Sequence, residues 1–352
     1  MVKNLLKTVP SLYRLLALLK FDLMRGYDSL GQKEIPLFRN VNSLSPREMR
    51  LIKRDILDSL IRYGTTPLEY FLFGFPTISK RERASFLTDF HREELLIKIE
   101  GQNAKQVLDN KFGFYEICKE YFKRQCLFIP VGGGNSLEFI EFALANKRVF
   151  IKPNCDSCGR KSNLFCINDE KDADVLYKRL VESNIDWIVE EAIDQNTTMS
   201  SWNSSSVNTI RVPSILTSDG VHLMTPSFRV GRYGSVVDNA GSGGILANVD
   251  VKNGRVISEG VDELGHTFSC HPDSGITFKN WQIPEWEELL LIVETLHKST
   301  LRSNKYIGFD FALSNKGWCL IEGNWGQMIN QYADKRGRKE EFELYMKYDY
   351  NH

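Results

Sequence analysis

The sequence has no excess charge of either sign, because 45 lysine and arginine residues balance 45 aspartate and glutamate residues among its 352 positions. Proteins that bind nucleic acid usually have a basic surface, so this balance gives no indication of a nucleic-acid partner. The sequence also lacks an apolar run long enough to span a bilayer, an internal repeat and a low-complexity tract. Hydrophobic residues make up 42% of the chain, which supports a real core. The length predicts two domains, or one large α/β domain with an extension.

The seven cysteines lack the spacing of a disulfide framework. With no export signal in the sequence, we interpret them as reduced thiols, and this predicts a cytoplasmic protein. Cys155 and Cys158 form a CxxC pair with Cys166 further on, but no second CxxC or histidine pair completes four zinc ligands. We therefore reject a zinc site at these cysteines.

Residues 1–28 combine leucines at helical spacing with several lysines and arginines, and Asp22 is the only acid before Asp28. This pattern predicts a basic amphipathic helix. Two interpretations remain open: the helix lies on an anionic membrane surface, which would make the protein membrane-peripheral, or it docks on its own domain. Basic residues interrupt the apolar ones, which disfavours a signal peptide.

Two capping boxes predict that residues 1–100 form a mostly helical accessory region. Ser45 and Glu48 have the spacing of such a box, with proline at the first helical position, and the helix they open should end at Gly64. Ser79 and Glu82 repeat the box and predict a second helix. The region contains no evident catalytic cluster.

From residue 104 onward the pattern alternates between helices and short strands. We expect helices at 104–124 (with Lys111 near its middle), 136–146, 170–184 and from Pro284 onward. We expect strands at 127–131, 148–152, 163–167, 187–193, 207–216 and 221–229. A glycine-rich polar segment follows at 233–245, and Asn253-Gly254 has the composition of a hairpin turn.

Residues 306–324 predict a β-hairpin with oxygen ligands on one face. Two runs rich in aromatic and apolar residues flank a polar turn, and a three-residue loop at 315–317 would place Gly317 at a positive φ. That register sets Asp310 opposite Glu322, and the alternation of side chains puts Asn324 on the same face. Two carboxylates and an amide oxygen suit Mg²⁺. The alternative is an ordinary hairpin whose acids face water.

Lys152 ends a predicted strand and precedes a polar loop at 155–162, CDSCGRKS. A lysine at a strand end beside a loop of small residues suits phosphate binding through its charge and the exposed backbone N–H groups. The loop is not a Walker A sequence, and the signal is weak unless it is combined with the acidic hairpin.

In combination, Lys111, Lys152, the VEEAI run at 189–193 and the acidic hairpin resemble the ATP-grasp superfamily. The sequence is similar in particular to the sugar-transfer-associated branch, which is found with polysaccharide-biosynthesis genes and is often labelled carboxylate–amine ligase. The resemblance covers roughly residues 100–335. The segments that carry it are Asn208-Thr-Ile-Arg211, Phe228-Arg229, 237–244, 271–275, Ile283-Pro284, Gly308-Phe-Asp310 and 320–324.

The resemblance implies an α+β fold, the ATP-grasp fold, in which two α+β subdomains clasp ATP behind a mostly helical N-terminal extension. The implied division is an accessory region at 1–100, a small subdomain at 101–200 and a large subdomain with the metal site at 201–352. ATP and Mg²⁺ are the implied cofactors.

The resemblance also implies the roles of individual residues. The nucleotide residues are Lys111 and Lys152 for the phosphates, Ser157, Gly159 and Lys161 in the loop that folds over them, and Glu190, Glu191 and Ala192 in a hinge that receives adenine mostly through backbone groups. Arg211 and Arg229 would bind the transferring phosphate and the substrate carboxylate. Asp310, Glu322 and Asn324 would hold one or two Mg²⁺ ions. Candidate substrate residues are Asn239, Gly243, Gly244 and His271, although a structural hydrogen-bonding role is the stronger interpretation for His271.

The implied function is an ATP- and Mg²⁺-dependent carboxylate–amine ligase that acts on a uronate or another cell-surface polysaccharide precursor. Amide formation from a carboxylate needs activation, which an acyl phosphate supplies. The alternatives are a kinase with the same fold and a non-catalytic nucleotide-binding partner of a polysaccharide assembly complex.

Two departures from the family pattern bear on the function. Many ATP-grasp ligases have an arginine where this sequence has Gly308, so either Arg211 or Arg229 covers that role or phosphate transfer is altered. The helical first hundred residues do not resemble the usual N-terminal α/β domain, which often helps to bind the acceptor. The sequence does not define the carboxylate, the amine or the oligomeric state.

Overall fold

The computed structural model describes residues 30–100, 103–155, 161–238, 243–325 and 331–347. The amphipathic helix predicted at 1–28 and the candidates Ser157, Gly159 and Asn239 lie outside these residues. The chain divides into two compact units. The first comprises residues up to 101 with 264–266 and 326–352, and the second comprises 102–263 and 267–325. The division into an accessory region and two subdomains at 100 and 200 stays a prediction.

The described helices are, in chain order, α1 (Ile35–Phe38), α2 (Pro46–Tyr63), α3 (Pro67–Leu72), α4 (Lys80–Ser85), α5 (Asp89–Glu100), α6 (Asn103–Asp109), α7 (Lys111–Phe122), α8 (Ser136–Asn146), α9 (Glu170–Glu182), α10 (Thr197–Ser200), α11 (Trp286–Lys298), α12 (Gln331–Asp334) and α13 (Lys339–Lys347). The described strands are β1 (Cys126–Ile129), β2 (Arg148–Pro153), β3 (Asn163–Cys166), β4 (Trp187–Glu191), β5 (Thr209–Thr217), β6 (Gly220–Leu223), β7 (Ser227–Val230), β8 (Ile245–Asn248), β9 (Gly260–Val261), β10 (Thr267–Phe268), β11 (Tyr306–Ser314) and β12 (Gly317–Asn324). Among these described residues, no helix has both the length and the apolar content needed to cross a bilayer.

The first unit is built from helices whose ends are capped as the sequence predicts. At the start of α2 the Ser45 N–H donates to the Glu48 carboxylate at 2.8 Å, and the Glu48 N–H donates back to the Ser45 hydroxyl at 3.3 Å. The helix ends at Gly64, which has a φ of 71°. The same box opens α4 at Ser79, and a third, which the sequence analysis did not identify, opens α3 at Thr66.

The second unit contains a four-stranded antiparallel sheet, the first sheet, in the order β1-β4-β2-β3. One face packs against α8 and α9 through a core that includes Phe139, Val149, Leu176 and Val189. Because side chains alternate along a strand, the opposite face carries the residues between these core positions. Phe150, Lys152 and Glu190 lie on that opposite face.

The larger sheet of the same unit, the second sheet, has the order β10-β9-β8-β7-β5-β11-β12, with β6 paired to β5. Strand β11, between β5 and the edge strand β12, is buried along its whole length, and α7 and α11 contribute to the same apolar core. The two sheets and the helical first unit give the α+β architecture with a helical N-terminal region that the sequence predicts.

The single helix predicted at 104–124 is wrong, because the structure has α6 and α7 there. Asn110 lies between them and accepts a hydrogen bond from the Gly113 N–H at 3.0 Å, which starts a new helix. Lys111 is therefore the first residue of α7. The strand predicted at 221–229 is also divided into β6 and β7, and Pro226, which has no N–H to donate, lies at the break.

The acidic hairpin is formed, but by a different loop from the predicted one. Ser314 pairs with Gly317, so the loop has two residues, while Gly317 has the positive φ that was expected, 88°. Phe311 pairs with Leu320, and the register then shifts by one residue at a bulge, so that Asp310 faces Glu322 as predicted. The bulge compensates for the shorter loop.

Replacing Gly254 by alanine is expected to lower the free energy of unfolding by about 1–3 kcal/mol, the usual cost of overpacking. Gly254 has a φ of 71°, and a Cβ atom there would lie 2.4 Å from Cγ of Trp286. That ring is held by a 2.9 Å hydrogen bond from its Nε1 to the Val251 carbonyl. Chemical denaturation measures the effect. Gly275→Ala is the matched control, because its φ is 72° and its Cβ would meet nothing within 4 Å. Equal losses in both variants would contradict the contact with Trp286.

Candidate active site

A group of charged and polar side chains lies on one face of the second sheet. Arg211 on β5 pairs with Asp310 on β11, which pairs with Glu322 on β12. Arg229 on β7 pairs with Thr209 on β5. Residues two positions apart on a strand point to the same face of the sheet, so Thr209, Arg211 and Arg229 share one face. We call the following set the arginine–carboxylate cluster: Arg211, Arg229, Asp238, Asp310, Glu322 and Asn324.

Arg211 holds Asp310 with both arms of its guanidinium. Its Nε donates to Asp310 Oδ1 at 2.7 Å and its Nη2 donates to Asp310 Oδ2 at 2.5 Å. This two-point geometry fixes the plane of the guanidinium as well as its position. Arg229 donates from Nη1 to the same Oδ2 at 3.0 Å. Two guanidiniums on adjacent strands therefore converge on one buried carboxylate.

Asp238 completes the charge balance around Arg229. Its Oδ1 lies 3.3 Å from Nη2 of Arg229, and its Oδ2 accepts hydrogen bonds from the backbone N–H and the hydroxyl of Thr209. Asp238 lies in the segment 237–244 that carries the family resemblance, but no role was predicted for it. Its position in an Asp-Asn pair ahead of glycines was the available signal.

Burial and charge act in opposite directions on these carboxylates. Burial alone would raise the pKa of Asp310, but the guanidiniums of Arg211 and Arg229 outweigh it and hold that pKa below its usual range. Burial raises the pKa of Asp238, and the charge of Arg229 offsets this only in part. Burial therefore dominates the pKa of Asp238, whereas the two guanidiniums dominate the pKa of Asp310.

The residues predicted to bind metal converge as the hairpin register requires. Nδ2 of Asn324 lies 3.3 Å from Asp310 Oδ2 and 3.2 Å from Glu322 Oε1, so both carboxylates face the amide of Asn324. Within the described ranges, no three histidine, cysteine, aspartate or glutamate side chains form a metal-binding group. The donor set fits Mg²⁺ if phosphate oxygens or water supply the remaining ligands, as is usual for this ion.

Lys152 lies on the opposite face of the first sheet and belongs to a second buried group, the ion triad of Lys152, Glu190 and Arg124. Nζ of Lys152 is 2.8 Å from Glu190 Oε1, and Nη2 of Arg124 is 2.9 Å from Glu190 Oε2. Nη1 of Arg124 also donates to the carbonyl of Leu320 on β12 at 2.6 Å. The triad thus connects β2, which carries Lys152, to β12 of the acidic hairpin. The contact on β12 is at Leu320, two residues before Glu322.

The three predicted hinge residues, Glu190, Glu191 and Ala192, all make contacts within the protein. The side chain of Glu190 is buried in the ion triad, where burial would raise its pKa but Arg124 and Lys152 lower it. Glu191 forms a 3.0 Å ion pair with Lys316 in the hairpin loop, and the Ala192 N–H donates to the Arg148 carbonyl at 3.2 Å. In this arrangement the Ala192 N–H bonds within the protein. The adenine role of these three residues stays a prediction.

Asn154 brings the two predicted phosphate lysines into one region. It follows Lys152 by two residues, and its Oδ1 accepts from the Phe112 N–H at 2.7 Å while its carbonyl accepts from the Lys111 N–H at 3.2 Å. The end of β2 is therefore tied to the first turn of α7. Lys161 is exposed just before β3, and its phosphate role stays a prediction.

The predicted substrate residues that the structure describes differ in their exposure to solvent. Gly243 is exposed with a φ of 83°, and Gly244 is buried at the start of β8. His271 is fully buried, and its Nε2 donates to the Gly231 carbonyl at 3.0 Å. Burial lowers its pKa. The burial of the ring and its hydrogen bond support the structural interpretation of His271, and its role at the substrate stays a prediction.

Sequence reasoning missed Arg124, Asn154, Asp238 and Phe150. Phe150 pairs with Glu190 on the face away from the helices and is only half-buried. For Phe150 and Asn154 the signal was available, since both flank Lys152 within one strand end. Arg124 gave no signal, because its partners lie 66 and 196 residues away.

A family model described as sugar-transfer associated ATP-grasp matches residues 91–343. Among solved structures, D-alanyl-alanine synthetase A from Vibrio cholerae is similar with a TM-score of 0.43 and 11% identity, covering 70% of this chain and 66% of that one. D-alanine–D-alanine ligase from Bacillus anthracis gives 0.41 and 11%, covering 69% and 67%.

The ATP-grasp ligase PsnB, in complex with a variant of its minimal precursor, Mg and ADP, gives a TM-score of 0.40 and 11% identity, covering 73% of this chain and 64% of that one. The matched part of the first of these three neighbours, at 66%, is just under two thirds of its length. The comparison with curated proteins gave no match.

Proposed function

The chain belongs to the sugar-transfer-associated ATP-grasp family, and from this premise we propose that it is an ATP- and Mg²⁺-dependent carboxylate–amine ligase. We propose that the carboxylate is a uronate or a related sugar acid and that it is activated as an acyl phosphate. A carboxylate oxygen bonds to the γ-phosphorus of ATP as ADP leaves. The amine nitrogen then bonds to the acyl carbon, inorganic phosphate leaves, and the amine loses a proton.

The observation that carries this proposal is the convergence of Arg211 and Arg229 on Asp310. A planar guanidinium matches a carboxylate or a phosphate at two points. In the first step the substrate carboxylate must approach the γ-phosphate of ATP, and both groups are negatively charged. Two buried arginines on adjacent strands supply the positive charge where these anions meet, in a site that Asp310 has already organised.

Lys152 supports the phosphates from the first sheet. Glu190 holds its ammonium group at 2.8 Å, so the lysine loses little conformational entropy when a nucleotide arrives. Asp310, Glu322 and Asn324 would hold Mg²⁺, which would supply further positive charge to phosphate oxygens. The chain thus presents cationic groups from both sheets to a polyanionic ligand.

The test is a screen for ADP release by the full chain with ATP and Mg²⁺, over uronic acids and amino acids offered singly and in pairs. We expect ADP release that requires both a carboxylate and an amine. ADP release with a carboxylate or an alcohol alone, and a phosphorylated product, would make the protein a kinase. No ADP release with any pair would contradict the ligase.

Replacing Lys152 by alanine is expected to weaken ATP binding by about tenfold or more, because a hydrogen bond to a charged group contributes about 1.5–3 kcal/mol. Arg124 still compensates Glu190 in this variant, so the protein should fold. Calorimetry with ATP and Mg²⁺ measures the affinity. Lys178→Ala is the matched control, since Lys178 lies on α9 with 67% of its side chain exposed. An unchanged affinity in Lys152→Ala would remove Lys152 from the nucleotide site.

A further inference from the structure

A short loop starts and ends at the arginine–carboxylate cluster. It leaves β7 just after Arg229 and returns at Asp238, and these two side chains form an ion pair at 3.3 Å. The eight residues between them therefore form a loop whose two ends lie at the cluster. Tyr233 lies near its middle, only four residues from Arg229, so it stays within about 14 Å of that residue along the backbone.

The backbone of this loop is held from two sides. On one side, the Tyr233 N–H donates to Asp273 at 2.8 Å and the Arg232 Nε donates to the same carboxylate oxygen at 2.8 Å. On the other side, the Gly234 N–H donates to the Ser205 hydroxyl at 3.1 Å, and that hydroxyl donates to the Ser235 carbonyl at 2.9 Å. The loop is thus a fixed element of the second unit.

The segment from His271 to Gly275 supports this loop. Asp273 holds Arg232 and Tyr233, while His271 holds the Gly231 carbonyl. Gly231 itself fits closely, since a Cβ atom there would lie 2.3 Å from the Ser206 hydroxyl oxygen. The motif that the sequence analysis singled out at 271–275 therefore positions the loop.

The backbone of Tyr233 is held in place, but its side chain is exposed to solvent. It is 87% exposed, the largest exposed fraction among the large hydrophobic side chains of the described residues. Exposed aromatic side chains on fixed backbone bind ligands with little loss of conformational entropy, since tyrosine has only two side-chain torsions. A fixed loop that begins and ends at a charged cluster and carries one exposed aromatic ring combines an apolar surface with polar groups, the composition of a ligand site.

We propose that Tyr233 is a binding platform for the pyranose ring of the carboxylate substrate, so that the ring packs on the tyrosine while its carboxylate reaches Arg211 and Arg229. The inference rests on the proposed function. A pyranose ring has an apolar C–H face, which gains by leaving water against an aromatic surface. An open-chain acid has no such face. Tyr233 would therefore select cyclic sugar acids over open-chain acids.

The test measures binding by isothermal titration calorimetry with the full chain, ADP and Mg²⁺ present. The probes with a locked ring are methyl β-D-glucuronide and methyl α-D-galacturonide, and the open-chain comparison is D-glucarate. The variants are Tyr233→Phe, which keeps the ring, and Tyr233→Ala, which removes it. Leu291→Ala is the control, because Leu291 lies on α11 and is 64% exposed.

We expect the wild type to bind at least one methyl uronide more tightly than glucarate. Tyr233→Ala should weaken uronide binding by about tenfold, the upper range for one aromatic contact, with little change for glucarate. Tyr233→Phe and Leu291→Ala should match the wild type. Uronide binding that is unchanged in Tyr233→Ala, or absent in the wild type, would overturn the inference.

This result separates the inference from the ligase proposal. If the protein released ADP with a non-sugar acid but bound no uronide, the proposed role of Tyr233 would be wrong and the ligase proposal would remain. Uronide binding that depends on Tyr233, without ADP release for any pair of substrates, would retain the platform and contradict the ligase.

Discussion

Replacing Glu322 by glutamine is expected to abolish turnover while the protein stays folded. The amide fills the same space, and Glu322 is only half-buried at the end of β12. The substitution removes one of the two negative charges that face Asn324, and the hard Mg²⁺ ion is usually bound through one or two carboxylates. The positive charge that the metal would add to the transferring phosphate is then lost.

Turnover is measured as ADP release at saturating substrates, with thermal melting as the check on folding. Glu287→Gln is the matched control, because Glu287 is exposed in the first turn of α11 and makes the same change of charge. It should keep full activity. Turnover of Glu322→Gln within a few fold of the wild type would exclude Glu322 from the metal site.

The acidic hairpin could be predicted because its determinants are local. Apolar runs, a polar turn and alternation within nineteen residues place Asp310 opposite Glu322. The shorter loop and the bulge could not be predicted. Each changes the strand register by one residue, and because the two changes cancel, Asp310 and Glu322 pair as they would without either. Family membership confirms the ATP-grasp resemblance and fold, which rested on the order of the motifs along the chain.

The ion triad could not be predicted because its contacts are long-range. Arg124 belongs to a polar stretch, KRQ, that reads as surface, yet it is buried against Glu190 and the carbonyl of Leu320. Only the assembled sheets bring these strands together. The same holds for the contact of Asp238 with Thr209, which lies 29 residues earlier in the chain, on β5. Sequence patterns specify elements and faces, whereas charge pairs between distant elements appear only once the sheets have formed.

Asp310 and Asp238 balance the two guanidiniums of the cluster before a substrate binds, and Glu322 adds a third carboxylate. Removing Arg229 outright would leave the buried Asp238 without its guanidinium, and removing Arg211 would leave Asp310 with one guanidinium instead of two. Breaking a buried ion pair in this way costs about 3–5 kcal/mol. A loss of activity in such a variant would then report on folding. A change that keeps the charge but alters its geometry is the sharper test of the catalytic role.

Replacing Arg211 or Arg229 by lysine is expected to lower the rate of ADP release about a hundredfold, since one donor lost from a dry site costs on the order of 3 kcal/mol. Lysine keeps the charge but lacks the planar fork that holds Asp310 at two points. The loss should fall on the transition state, where the phosphate and the carboxylate meet. ATP affinity should change little, because Lys152 belongs to the first sheet and is held by Glu190.

Three measurements on each variant separate the possible roles: ATP affinity, melting temperature and ADP release with substrate present. A fall in rate without a fall in ATP affinity assigns the arginines to the transferring phosphate. Equal losses of rate and affinity would make them nucleotide anchors. A large fall in melting temperature would make them structural, because the bidentate contact with Asp310 would then serve mainly to hold β5 against β11.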